Sequence, residues 1–112
     1  MSGDRAEGVS RLKEKLLELR WAYMAGMPRR LERLCALWTD YEATGGEAGL
    51  DEILRETHKI AGTATMYGLA DLGSIAREIE DRLLDLQRDG AQVVPDELSA
   101  AMARFLNWRS ED

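Results

Sequence analysis

The chain holds one histidine, His58, and one cysteine, Cys35. That scarcity restricts the chemistry. No intrachain disulfide can form and no multi-cysteine metal site exists, so a zinc site would depend mainly on carboxylates, against the metal's preference for nitrogen and sulfur. A hydrolase of the paired nucleophile and base kind lacks its second group. What remains is a single imidazole, which offers a neutral ring nitrogen near pH 7 because its unperturbed pKa lies close by.

The neighbours of His58 are read at ~100° per residue on a helix. Leu50, Ile53, Thr57, Ile60, Ala61 and Ala64 centre roughly 110° to one side of it, and Glu52, Glu56, Lys59 and Thr63 fall on the other. His58 therefore sits at the edge of the apolar face. Gly62 and Thr65 follow on its own face, one and two turns on. A mid-helix glycine costs about 1 kcal/mol relative to alanine, so Gly62 asks for a reason, and clearance for an approaching surface is one. Arg55 and Lys59 on the solvent flank supply cations that can neutralise an anionic group carried on the ring.

These residues need a helix, and the sequence predicts five. Residues 1–8 are small and polar with two glycines and are expected to form a disordered lead-in, with one domain over 9–110. Leu12, Leu16, Leu19 and Tyr23 recur at helical spacing in a first helix ending near Gly26, and Pro28 suits the first turn of a second. The stripe of that second helix is Leu31, Leu34, Cys35, Trp38 and Tyr41, which places Cys35 in the core, and Gly45 and Gly46 close it. A third helix runs over 48–67 and a fourth over 69–89, stopped by Gly68 and Gly90. The fifth begins near Pro95 and uses Leu98, Met102, Phe105 and Leu106. Connections of a few residues favour antiparallel neighbours. The expected fold is all-α, an antiparallel four-helix bundle with an additional N-terminal helix packed across it. Met24 to Met27 is a candidate apolar surface for a partner.

Composition agrees with one core. At 112 residues, 45% apolar and 32% charged, the chain fits a single globular domain. A net charge of −6 disfavours a phosphate backbone, so nucleic acid is not expected as a partner. No apolar stretch approaches the ~20 residues that span a bilayer, and the first residues lack the apolar segment of a signal peptide, so the expectation is a cytoplasmic monomer with no membrane contact.

The run His58, Lys59, Ile60, Ala61, Gly62, Thr63, Ala64, Thr65, Met66, Tyr67, Gly68 resembles the signature of histidine-containing phosphotransfer domains. It has a histidine, an aliphatic residue two on, glycine four on, small or hydroxyl residues after that, and glycine ten on. Leu72 and the stretch from Ala76 to Leu83 resemble the next helix of that family. Many members carry lysine three residues after the histidine; here Ala61 stands there, and Lys59 follows the histidine directly.

The resemblance implies a phosphoryl carrier rather than an enzyme. His58 would take a phosphoryl group from a receiver-domain aspartate and give it to another receiver, with Lys59, Arg55, Gly62, Ala61 and Thr65 adjacent to the phosphate or the receiver. It implies response-regulator receivers as partners, with a hybrid histidine kinase a further candidate. It implies no cofactor or metal on this chain, since the magnesium ion would belong to the receiver. A rival reading keeps the bundle and drops the chemistry: an adapter that binds receiver or kinase domains without accepting phosphate.

Overall fold

The computed structural model describes the backbone over residues 2–90 and 93–109 and the side chains from residue 5 onward within them. Four helices follow one another: α1 Ser2–Thr44, α2 Glu47–Met66, α3 Ala70–Asp89 and α4 Asp96–Leu106. The described residues contain no strand. Helix α1 packs on α2 and α4, and α3 packs on the same two, so the helices follow one another round the bundle in chain order and α4 closes the ring on α1. Short connections make them antiparallel.

The interior is the set of stripes that the spacing predicts. Met27 and Leu31 of α1, Ile53 and Ile60 of α2, Leu72, Ile79 and Leu83 of α3, and Leu98, Met102 and Phe105 of α4 are all essentially inaccessible. Cys35, expected in the core, is exposed. Leu31, Leu34 and Trp38 define the buried direction of α1 within an arc of ~60°, and Cys35 stands ~65° from its centre, past Leu31. Met24 and Met27 are core residues too, not partner surface.

The two N-terminal helices expected from the sequence are one, with Pro28 inside it. A proline in a helix interior costs about 3 kcal/mol. Burial on both sides offsets this, because Met24, Met27, Leu31 and Leu34 all enter the core only if the helix runs straight through, each contributing roughly 1.5–3 kcal/mol. The residues expected to be a disordered lead-in are likewise helical from Ser2 on, as a continuation of the same helix; Met1 lies outside the described residues. Arg5, Ala6 and Glu7 are good helix formers and extend a helix already nucleated.

Nor does the N-terminal segment pack across the bundle. At 1.5 Å per residue the 43 residues of α1 span ~64 Å, which matches the long dimension of the molecule, 64 × 23 × 22 Å. Its first half therefore projects past the other helices. Val9, Leu12, Leu16 and Leu19 are between 42% and 60% exposed.

The α2–α3 turn is the tightest joint. Gly68 adopts φ +77, a conformation that side-chain-bearing residues rarely take. Its N–H donates to the Thr65 carbonyl at 3.1 Å, and the N–H of Leu69 reaches back to the Ala64 carbonyl at 2.9 Å. This is the Schellman pattern, which satisfies carbonyls that the helix end leaves open. Leu69, buried against the core, anchors the turn.

Candidate functional site

The turn sets a register. Folding α2 onto α3 about Leu69 brings together residues equally distant from it in the chain. Thr65 and Gly73, four residues either side, touch: a Cβ on Gly73 would lie 2.6 Å from Thr65 Oγ1. Asp51 and Gln87, eighteen either side, are joined by a hydrogen bond of 2.5 Å from Gln87 Nε2 to Asp51 Oδ1. Between them, eleven either side, His58 Nδ1 donates to the Glu80 carboxylate. The pairs are seven residues apart on each helix, two turns, as an in-register antiparallel seam requires.

This contact decides which nitrogen of His58 is available. A carboxylate only accepts, so Nδ1 carries the hydrogen, and in the neutral ring Nε2 then holds the lone pair. Glu80 is largely covered, with 18% of its side chain exposed, whereas the His58 side chain is 75% exposed. The imidazole is thus held from the protein side by one nitrogen and presents a nucleophilic nitrogen on a ring open to solvent.

The other residues singled out from the sequence divide into three groups. Gly62 lies on the exposed face beside His58, and a Cβ built on it meets nothing within 4 Å. Packing within the chain therefore does not require this glycine, which leaves a flat approach to the ring. Arg55 is exposed and makes no ion pair among the described residues. Lys59 is committed in part: its Nζ is 3.3 Å from Glu56, which also receives Arg30 of α1 at 3.8 Å. Of the two cations, Arg55 is the uncommitted one. Ala61 is buried and points into the core, so it does not adjoin a docked partner. Its position 300° round from His58 turns it to the apolar side. Thr65 is exposed, but its hydroxyl packs over Gly73, where it sets the spacing of the helices.

Contacts from α1 fix the other side of α2. Thr63 Oγ1 donates to the Lys59 carbonyl at 2.7 Å, so the Tyr23 hydroxyl, 2.8 Å away, is the donor to Thr63. Tyr23 stacks on Tyr67 with ring centroids 4.5 Å apart, and Arg33 reaches Glu52 at 3.3 Å. Beside the α2–α3 turn, Trp108 Nε1 donates to Asp71 Oδ2 at 3.0 Å, and this bond, with help from the Leu72 backbone, holds the Asp71 carboxyl below its ordinary pKa. No group of three or more His, Cys, Asp or Glu residues able to hold a metal occurs among the described residues.

Glu80 and Gly73 escape a reading of α2 alone. The signal for both lay in the turn, since each is as far beyond Leu69 as its partner is before it. Met66, 78% exposed, and Leu84, 41% exposed, were also missed. They place apolar surface on the two helices that carry His58 and Glu80.

Comparison with protein families gives a match to the Hpt domain over residues 18–108. The chain belongs to this family. Comparison with curated proteins and with solved structures gives no match. Hpt membership brings a role in phosphorelay, as a carrier of phosphoryl groups and not as a kinase or phosphatase, alongside receiver and kinase domains of two-component systems. The match takes in all of α2, α3 and α4 and starts within α1, after most of its exposed N-terminal segment. No helix among the described residues is long and apolar enough to cross a membrane.

Proposed function

We propose that the chain is a phosphorelay intermediate in which His58 Nε2 accepts a phosphoryl group from the aspartyl phosphate of one receiver domain and passes it to the aspartate of another. The observation that carries this reading is the bond from Nδ1 to Glu80 on an otherwise open ring. In the forward step the Nε2 lone pair forms the N–P bond as the P–O bond to the donor aspartate breaks, and that carboxylate leaves. The ring becomes cationic because it keeps its proton on Nδ1, and the Glu80 carboxylate beside that nitrogen balances the charge. In the return step the acceptor carboxylate attacks phosphorus and the neutral ring leaves with its Nδ1–H in place. No net proton transfer is needed in either direction.

The surroundings support this role. Phosphoryl transfer is largely positioning and charge stabilisation, and Arg55, one turn from His58, is free to meet the phosphoryl oxygens. Lys59 adds to the local field while paired to Glu56. Gly62 leaves room for a receiver surface, and Met66 and Leu84 give it apolar contact. The magnesium ion of such reactions would be bound by the receiver. A receiver is the expected partner on the α2–α3 face, with α1 buttressing α2 from behind.

Incubation with phosphorylated receivers of the source organism tests the reading. One or more should transfer label to the chain in an acid-labile, base-stable linkage, and His58→Gln should accept none. If no receiver labels the wild-type chain, the relay reading is wrong; a His58→Ala protein that still binds receivers and sustains signalling would identify an adapter instead.

A further inference from the structure

Most of the large apolar side chains left exposed among the described residues lie on the first half of α1, remote from His58. Val9, Leu12, Leu16 and Leu19 follow one another at spacings of three, four and three, the pattern of a two-stranded helical seam. All four are exposed. On the helical wheel these four lie within an arc of ~80°, the width of a seam, while Leu17 and Trp21, also exposed, stand outside it beyond Lys13. The same line of α1 continues into Tyr23, Met27 and Leu34, which pack against the bundle. The segment is therefore a core-facing stripe carried past the end of its own core.

The charges beside the seam are of one sign. Lys13 and Arg20 border it on one side and Lys15 on the other, while Glu7, Glu14 and Glu18 lie on the back. Lys15 also reaches Glu18 at 3.8 Å, an exposed pair of small worth. Two such segments paired with each other, parallel or antiparallel, would set these cations against their own copies. A helix with acidic flanks would meet them with opposite charge.

We propose that residues 9–19 of α1 are a docking surface for a partner helix bearing a leucine seam flanked by glutamate or aspartate. The helix needs no nucleation on binding, because it is already an extension of a packed one. The surface also stands clear of the phosphoryl site. Tyr23 opposite Thr63 and Arg30 opposite Glu56 set His58 level with α1 near residue 28. The seam then lies roughly 14–28 Å further along the axis. A helix held there leaves His58 uncovered, so a tethered partner and a receiver can be engaged together. Most of the seam also precedes the family match, which begins at residue 18.

The test uses the full chain and two designed four-heptad peptides, each with leucine along the seam, one with glutamate and one with lysine at the flanking positions. The glutamate peptide should bind one to one and at least about tenfold more tightly than the lysine peptide, since several attractive pairs replace repulsive ones. Raising salt should shrink the difference. Leu12→Asp with Leu16→Asp should abolish binding without lowering the melting temperature, because both residues are outside the core. Lys13→Glu with Lys15→Glu should reverse the preference, and His58→Gln should bind as the wild type does. Equal affinity for the two peptides, or none for either, overturns the proposal. So does a chain that sediments as a dimer dispersed by the leucine substitutions, or tighter seam-dependent binding to phosphatidylglycerol vesicles than to the glutamate peptide.

Discussion

Replacing Glu80 by alanine removes two things from His58: the acceptor that keeps hydrogen on Nδ1, and a negative charge beside a ring that becomes cationic as phosphorus bonds to Nε2. A hydrogen bond to a charged group contributes about 1.5–3 kcal/mol. At about 4 Å, a unit charge pair contributes ~1 kcal/mol in water and ~4 kcal/mol at an effective dielectric of 20. Because the His58 side chain is 75% exposed, the aqueous end of both ranges applies. Glu80→Ala should then cost about 1.5–2.5 kcal/mol of transition-state stabilisation, roughly 10–70-fold in transfer rate. Glu80→Gln keeps a neutral acceptor for Nδ1–H and loses mainly the charge, about 1 kcal/mol or roughly fivefold. Rapid-quench transfer from a phosphorylated receiver, measured across receiver concentrations, separates this loss from weakened docking: the maximal rate should fall while the half-saturating concentration changes little. Nitrogen NMR of the free protein should show the Nδ1–H tautomer in the wild type and a mixture in Glu80→Ala. Alanine and wild-type proteins transferring within twofold of each other, or a wild-type ring protonated on Nε2 alone, would refute the assignment of Glu80 as the positioning group.

Three further outcomes concern the frame around the site. Gly73→Ala gains about 1 kcal/mol in helix propensity but drives its Cβ to 2.6 Å from Thr65 Oγ1, an overpacking cost of about 1–3 kcal/mol. Denaturant melts should show net loss in the single variant and recovery when Thr65→Ala is added, a coupling of about 1 kcal/mol. Thr57 is fully buried, and its hydroxyl finds no hydrogen-bond partner among the described residues. Thr57→Val fills the same shape without that polar group and should stabilise the fold by about 1 kcal/mol in the same assay. For Asp71, the folded pKa is held below the unfolded one by Trp108. The stability this gives is complete above the unfolded value of about 3.9 and is lost as pH falls through the lowered folded value. The melting difference between wild type and Trp108→Phe should accordingly contain a component present at pH 7 and absent once pH has fallen past the lowered folded value, and a pH-independent difference would contradict the assignment.

What the sequence made legible, and what it did not, follows from the range of the forces involved. Burial faces are local and periodic, so Ile53, Ile60, Ile79 and Phe105 could be assigned to the core from spacing alone. Helix ends marked by Gly68 and Gly90 were also readable, because a positive φ selects glycine. The break expected at Gly26 and Pro28 is absent: proline suits a helix start, but the burial of Met24, Met27 and Leu31 that a straight helix secures offsets its cost of about 3 kcal/mol inside one. The same error folded Leu12, Leu16 and Leu19 back onto a bundle they do not reach. Spacing shows which face of a helix is apolar but not what covers it.

The candidate site marks the same boundary more sharply. His58, Gly62 and Arg55 share one face of one helix and were visible together; Glu80 is on another helix and becomes visible only through register. That register is set at Leu69, because residues eleven before and eleven after the turn meet only if the turn keeps its length. One residue more or less between α2 and α3 would rotate Glu80 by ~100° about its helix and leave Nδ1 without its acceptor. The φ of Gly68, the two turn hydrogen bonds and the burial of Leu69 hold that length. Gly68 thus acts on the imidazole through the helix that follows it, and the choice of nitrogen at His58 depends on a turn ten residues away.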